Sequence, residues 1–225
     1  MKSAKPGSSA KTEKIDFYKL HKAEYAALRK PSFIETKPAM YLSISGRGAP
    51  GGEDFQARIG ALYSMAFTIK MTRKFEGRED YAVSKLESQY WCDAVEGDFS
   101  RVPQDEWQWT LLIRTPDFIM QEDLDKAGTA LEKRGKSPLA REVKLLAIDE
   151  GRCVQMLHVG PYEREKETLE KMSAFAAGKG FAPHGRHHEI YLSDPRRIPP
   201  ERLKTILRLP IRESMASYLQ KSEDL

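Results

Sequence analysis

Between Cys153 and Pro195 the spacing of apolar residues changes period twice. Val154, Met156 and the β-branched Val159 suit a strand, and Gly160-Pro161 punctuates it. From Glu165 the spacing becomes helical, with Leu169, Met172 and Ala176 at i+4, i+7 and i+11 and Phe175 beside them. Gly178 and Gly180 close that helix, as residues tolerant of left-handed backbone do. His187 to Ser193 then alternates, placing His188, Ile190 and Leu192 on one face and Glu189 and Tyr191 on the other. The stretch reads as strand, tight turn, amphipathic helix, loop, strand.

The rest of the chain reads in the same terms. Residues 1–14 are polar and open Gly/Ser-rich, which predicts a disordered tail. Ile15 to Leu28 carries Phe17, Leu20, Glu24 and Leu28 at helical spacing, an N-terminal arm stopped by Pro31. Ala39 to Ser45 alternates as a half-buried strand. The glycine-rich Gly46 to Gly52 follows, but without the Lys-Ser/Thr ending of a phosphate-binding loop or a GxGxxG it is a connector. Phe55, Ile59, Leu62, Ala66 and Ile69 predict a long helix ending near Gly77. Strands are predicted at Tyr81–Glu87 and Glu106–Ile113, the latter with Trp107, Trp109, Leu111 and Ile113 on one face. A helix follows over Gln121–Lys133 with Leu124, Ala127 and Leu131 in line. Two strands, Val143–Ile148 and Arg152–His158, join at Glu150-Gly151, and residues 214–225 form a tail or short helix.

The pattern repeats. FIETKPAMYLSISGRG leads into the Phe55 helix as LLAIDEGRCVQMLHVG leads into the Glu165 helix. The expectation is an α+β fold of two pseudo-symmetric strand-helix-strand-strand repeats, about 33–119 and 142–213. Together they would make one domain over 15–213 with the helices on one side. The cleft between such halves is a natural concave site.

Composition narrows the class. A chain of 225 residues and 25.6 kDa, 40% hydrophobic, suffices for one real core. No apolar run reaches the length of a membrane span, and no signal peptide precedes the fold. Cys92 and Cys153 lack metal-ligand spacing and read as reduced and buried in a cytoplasmic protein. The net charge of +4 comes from basic residues interleaved with acidic ones, so direct nucleic-acid binding is not expected.

Two carboxylates carry candidate chemistry. Glu165 shares a helical stripe with Leu169 and Met172, and Glu189 sits in mid-strand on the face of Tyr191. Carboxylates against apolar surface acquire raised pKa values suited to proton transfer or to cation binding; rim residues in solvent are the plain alternative. His184, His187 and His188 invite a metal reading. However, in a strand His188 points away from His187 and Glu189, so no facial triad assembles; neither metal nor cofactor is expected. His158 and His188 read as structural residues, and no G-x-S-x-G nucleophile is present.

HVGPYEREKET and HHEIYLSDPRRIPPERLKTILRLPI, with WQWTLLIRTPDFI upstream, resemble the GyrI-like small-molecule-binding family over roughly residues 15–213. The resemblance implies free-standing relatives and effector domains of multidrug-responsive regulators, a pocket between two halves, and a pocket glutamate matching Glu189. It also implies similarity to hydrolases that open the cyclopropane of DNA-alkylating compounds. On that basis Trp109, Tyr162, Tyr191, Tyr90 and Trp91 are candidate ligand-binding aromatics, while Trp107 reads as core. The chain departs from the family at LESQYWC (Leu86 to Cys92), where many relatives carry an LEG-type segment with paired tryptophans.

Three functions follow as expectations. The first is a hydrolase of strained, flat, lipophilic aromatic compounds, with Glu165 and Glu189 as catalytic residues. The second is a binder that sequesters or senses such compounds, and the third an interaction protein that caps a partner such as gyrase. Two inward carboxylates, where cation binding needs one, favour the enzyme. Nothing in the sequence sets the oligomeric state.

Overall fold

The computed structural model describes residues 14–93 and 102–214; the tails expected at 1–14 and 214–225 lie, but for Lys14 and Ser214, outside the described residues. In chain order the elements are α1 (Phe17–Leu20), α2 (Lys22–Tyr25), β1 (Ser32–Glu35), β2 (Ala39–Arg47), α3 (Glu53–Phe75), β3 (Glu87–Trp91) and β4 (Gln108–Thr115). There follow α4 (Gln121–Lys133), β5 (Lys144–Ile148), β6 (Arg152–Val159), α5 (Glu165–Ala177), β7 (Phe181–Pro183), β8 (His187–Tyr191) and β9 (Lys204–Glu213).

The strands form one mixed α+β framework around a single antiparallel sheet. Its order is β1-β6-β9-β8-β3-β4-β2-β5, with β7 paired to β9. The connectivity reads alike from either edge. Along this order each half contributes one strand directly before its long helix and two after it, β7 being additional in the second half, and the leading strand (β1 or β5) pairs with the other half. β3 and β8 meet in the middle, Ser88 opposite Glu189 and Tyr90 opposite His187.

One face of the sheet, here the front, is covered by α3, α4 and α5. Leu42, Ile44, Trp109, Leu111 and Ile113 meet Phe55, Leu62, Met65 and Ile69 of α3 and Leu124, Ala127 and Leu131 of α4. In the second half Val154, Met156 and Leu207 meet Met172 and Ala176 of α5. These are the helical stripes expected from the sequence. Among the described residues no helix is long and apolar enough to cross a membrane.

Two elements differ from expectation. The strand placed at Tyr81–Glu87 is at Glu87–Trp91, and Tyr81 makes only an isolated parallel bridge to Ile15. Glu87, Ser88 and Gln89 are buried with hydrogen-bonded side chains, so this central strand, covered on both faces, shows no polar-apolar alternation. The arm is two single turns broken at His21, whose backbone (φ −116°, ψ 50°) leaves the helical region. It crosses the back face, where Phe17 and Tyr25 pack on Ile190 and Ile206 while Leu20 and Leu28 stay exposed.

Trp109 lies flat over its cross-strand partner Gly46, and its indole N–H donates to the Gly48 carbonyl at 3.1 Å. A Cβ on residue 46 would come within 2.2 Å of the indole ring. Gly46→Ala is therefore expected to cost about 1–3 kcal/mol by overpacking. Urea denaturation checks this, and unchanged stability would show that the ring moves freely.

Candidate functional site

Glu165 and Glu189 approach each other on the front face at the seam between the halves. Glu189 projects from β8, and Glu165 opens α5 just after a 3-10 turn over Tyr162–Arg164. Glycine at position 160, with φ 146°, allows the sharp exit from β6 that aims this helix start at the sheet. The two glutamates are only 7% and 8% exposed.

Their surroundings differ. Glu189 Oε1 accepts from His187 Nε2 at 3.0 Å, and its Oε2 accepts from the Tyr191 hydroxyl at 2.7 Å. Because Tyr191 spends its proton on Glu189, the hydroxyls of Ser88 (2.8 Å) and Tyr90 (2.7 Å) donate to it in turn. Glu165 is less well provided. Thr205 and Glu189 lie beside it, but its Oε1, the Thr205 hydroxyl and His187 Nδ1 are buried without a well-formed hydrogen bond.

The electrostatics follow from these contacts. Burial pushes the Glu165 carboxyl well above the usual carboxylate range, and the nearby charge of Glu189 pushes it further. Burial acts on Glu189 in the same direction, but the His187 and Tyr191 donors outweigh it and hold Glu189 below its ordinary value. The two shifts are opposite, so Glu165 holds its proton to higher pH than Glu189 does. Ionising both at this depth would cost several kcal/mol. Burial and Glu189 likewise raise the Tyr191 phenol, so it remains a donor.

The aromatics divide. Tyr90 stacks on His187 with centroids 6.3 Å apart, and Tyr162 stands edge-on to Tyr191 at 5.9 Å while 36% exposed, at the solvent side of the site. Burial and Glu165 push the Tyr162 phenol up to about 12. Trp109 shares this face but is fully buried against Phe55, in the first-half core. Trp91 alternates to the opposite face from Tyr90 and lies under the Arg186 guanidinium at 3.7 Å, so the structure does not bring it to the glutamates. Two surface clefts of about 400 and 200 Å³ open beside Arg29, near Leu192 and near His158, and neither includes Glu165 or Glu189.

Ser88 and Thr205 carry no site signal in the sequence, and His187 enters there only through the metal reading. His187 shares the Glu189 face by strand alternation, a legible signal; Ser88 was hidden by the misplaced strand. His158 is satisfied at both ring nitrogens by Thr168 and the Pro161 carbonyl. Among the described residues no group of three or more His, Cys, Asp or Glu side chains is arranged to hold a metal ion.

The raised Glu165 has a stability consequence. A group whose folded pKa exceeds its ordinary value of about 4.5 stabilises fully below that value, and this contribution is lost as pH rises toward the folded pKa. Glu165→Gln removes the titration. Its stability relative to the native chain is expected to rise as pH increases above about 4.5, read by denaturation at each pH; parallel curves would contradict a raised Glu165.

A family model for the GyrI-like small molecule binding domain matches residues 117–212. No curated protein matches the chain. Among solved structures, the chain is similar to a conserved protein from Listeria innocua at 40% identity, over 88% of this chain and all of that one, with a TM-score of 0.81. It is similar to a hydrolase from Listeria innocua at 39% identity, again over 88% and 100% of the two chains, with a TM-score of 0.79. The EcmrR C-terminal domain, 10% identical over 82% of this chain and 98% of its own, shares the fold with a TM-score of 0.55. The match at 40% identity over 88% of this chain, with the domain recognised over residues 117–212, places this chain in the GyrI-like family.

Proposed function

We propose that the protein binds flat, lipophilic aromatic compounds at the Glu165–Glu189 seam and hydrolyses the cyclopropane of electrophilic, DNA-alkylating members of that class. The observation that carries this reading is the split pair of buried glutamates, one pushed up and one held down in pKa, arriving from a helix start and a mid-strand. Pairs whose environments drive their pKa values apart are suited to act as acid and base. The likeness to a hydrolase from Listeria innocua supports the reaction class.

The chemistry balances with this chain's own groups. Glu189 takes a proton from water as the water oxygen bonds to a cyclopropane carbon. The strained C–C bond breaks, and its electron pair passes into the conjugated ring system as a developing phenolate. Glu165 donates its proton to that oxygen, and exchange of one proton from Glu189 to Glu165 resets the pair. General acid–base assistance of this kind is worth roughly 10²–10⁴-fold. His187 and Tyr191 hold Glu189 in place, and Tyr162 offers a ring against which a flat ligand can stack, worth about 0.5–1.5 kcal/mol.

We place this activity in detoxification inside the cell; both Cys92 and Cys153 are buried and unpaired, and burial pushes the Cys153 thiol up to about 12, in keeping with a reducing compartment. The second reading is a non-catalytic protein that sequesters or senses the same compounds, favoured by the binding domain recognised over residues 117–212.

Glu189→Gln separates the two. A hydrolase should lose about 10²-fold in turnover of a cyclopropane-bearing electrophile, followed by mass analysis, while keeping affinity for a cationic aromatic dye within a few-fold. A pure binder should show no turnover in the native chain and a selective loss of cationic over neutral dyes. Full activity in both Glu189→Gln and Glu165→Gln would contradict the proposal.

A further inference from the structure

Behind the glutamate pair, on the other face of the same two strands, lies a second buried set of charges. His188 is completely buried, with Nε2 3.0 Å from Glu87 Oε2 and Nδ1 2.9 Å from Glu150 Oε1. Glu87 also accepts from the Tyr25 hydroxyl at 3.0 Å. Arg114 donates to Glu24 at 2.7 Å and to the Tyr25 oxygen at 3.2 Å. Arg208 reaches Glu150 at 3.4 Å and the Glu24 carbonyl at 2.7 Å, and Gln89 donates to Glu150 at 3.1 Å. The Tyr41 ring stands edge-on to His188, and Cys153 lies beside Glu150.

The charges can be counted. Three carboxylates (Glu24, Glu87 and Glu150) face two guanidiniums (Arg114 and Arg208), so neutrality needs a third cation. His21, at the rim 3.5 Å from Glu24, is pushed toward its neutral form by burial and by Arg114. His188 supplies the charge. Each of its ring nitrogens faces a carboxyl oxygen, and against two carboxylates both nitrogens must donate, which the doubly protonated ring does. Burial alone would strip that proton, but Glu150 and Glu87 outweigh it and raise the imidazole to about 9.

We propose that the His188 imidazolium is a positioning residue: by tying β8 to β3 through Glu87, and to the β5–β6 turn through Glu150, it aims Glu189 at Glu165 on the opposite face. This rests on the reading of Glu189 as the working carboxylate. The connection is covalent and short. His188 adjoins Glu189 in β8, and Glu87 adjoins Ser88 in β3. Ser88 lies opposite Glu189 and donates to Tyr191, which donates to Glu189. A slip of β8 against β3 would break the Ser88–Tyr191 and Tyr90–Tyr191 contacts together.

The test is by NMR on the full chain and needs no turnover, so a failure of the hydrolase reading leaves it standing. The side-chain protons that Tyr191 and His187 direct at Glu189 are followed in slow exchange, with the Trp109 indole proton, held by Gly48 in the first-half core, as the reference. His188→Gln keeps size but leaves three carboxylates against two cations. The expected result is loss of at least half the intensity of the Tyr191 and His187 signals with Trp109 unchanged. Adding Glu87→Gln restores neutrality and should recover the signals at least in part. Unchanged signals in folded His188→Gln, loss of all three together, or no recovery in the double variant would each overturn the proposal. Should His188→Gln not fold, Glu150→Gln, which leaves the tie to Glu87, is read instead. The same selective loss is expected there, and an unperturbed pair of signals overturns the proposal.

Discussion

The pairing of β3 with β8 is the constraint on which the rest of the molecule depends. It is where the two halves of the sheet join, and it gives the joint two faces of opposite character. Strand alternation sends Glu189, Tyr191, Ser88 and Tyr90 to the front, and His188, Glu87 and Gln89 to the back. The front is a hydroxyl-rich site closed by α5, and the back is an ionic cluster closed by the arm. Polar strands at the centre of a sheet are costly unless every group is partnered, and here nearly all are. Three of the unpartnered atoms lie together on the site face: Glu165 Oε1, opposite the strands, and His187 Nδ1 and the Thr205 hydroxyl.

Two residues of the same type acquire opposite properties a short distance apart because the fold distributes donors unevenly. Glu189 emerges from a strand flanked by His187 and Tyr191, each two residues away on its own face, so its donors are supplied by the strand itself. Glu165 emerges from a helix start whose apolar stripe carries it inward without a well-formed hydrogen bond for Oε1. Burial then dominates for Glu165 and hydrogen bonding for Glu189. No metal is needed to create the asymmetry; it is set by the elements that present the two carboxyls.

Much of this was legible in the sequence where one physical effect dominated. The stripes Phe55–Ile69, Leu124–Leu131 and Leu169–Ala176 announced α3, α4 and α5 because each buries one face against the sheet. The alternation of His187 to Ser193 announced β8, and with it the separation of His188 from Glu189. Glu87–Trp91 is not legible because burial on both faces erases alternation, and the arm reads as one helix because its Phe17–Leu28 spacing is helical while His21 breaks the backbone. That the two glutamates meet could be inferred from their faces; that Trp109 is spent on Gly46 and Trp91 on Arg186 could not, since aromatic residues carry no mark of which surface they cover. The charge balance behind the site was equally hidden, because Glu24, Arg114, Glu150 and Arg208 are far apart in sequence.

The central claim is that one of the two buried glutamates is neutral at neutral pH and that it is Glu165. Infrared spectroscopy of the intact chain at pH 7, in difference against Glu165→Gln and Glu189→Gln, tests it directly. The protonated-carboxyl stretch should be present in the native protein, vanish in Glu165→Gln and persist in Glu189→Gln. Absence of that band from the native protein, or its loss in Glu189→Gln with retention in Glu165→Gln, would contradict the account.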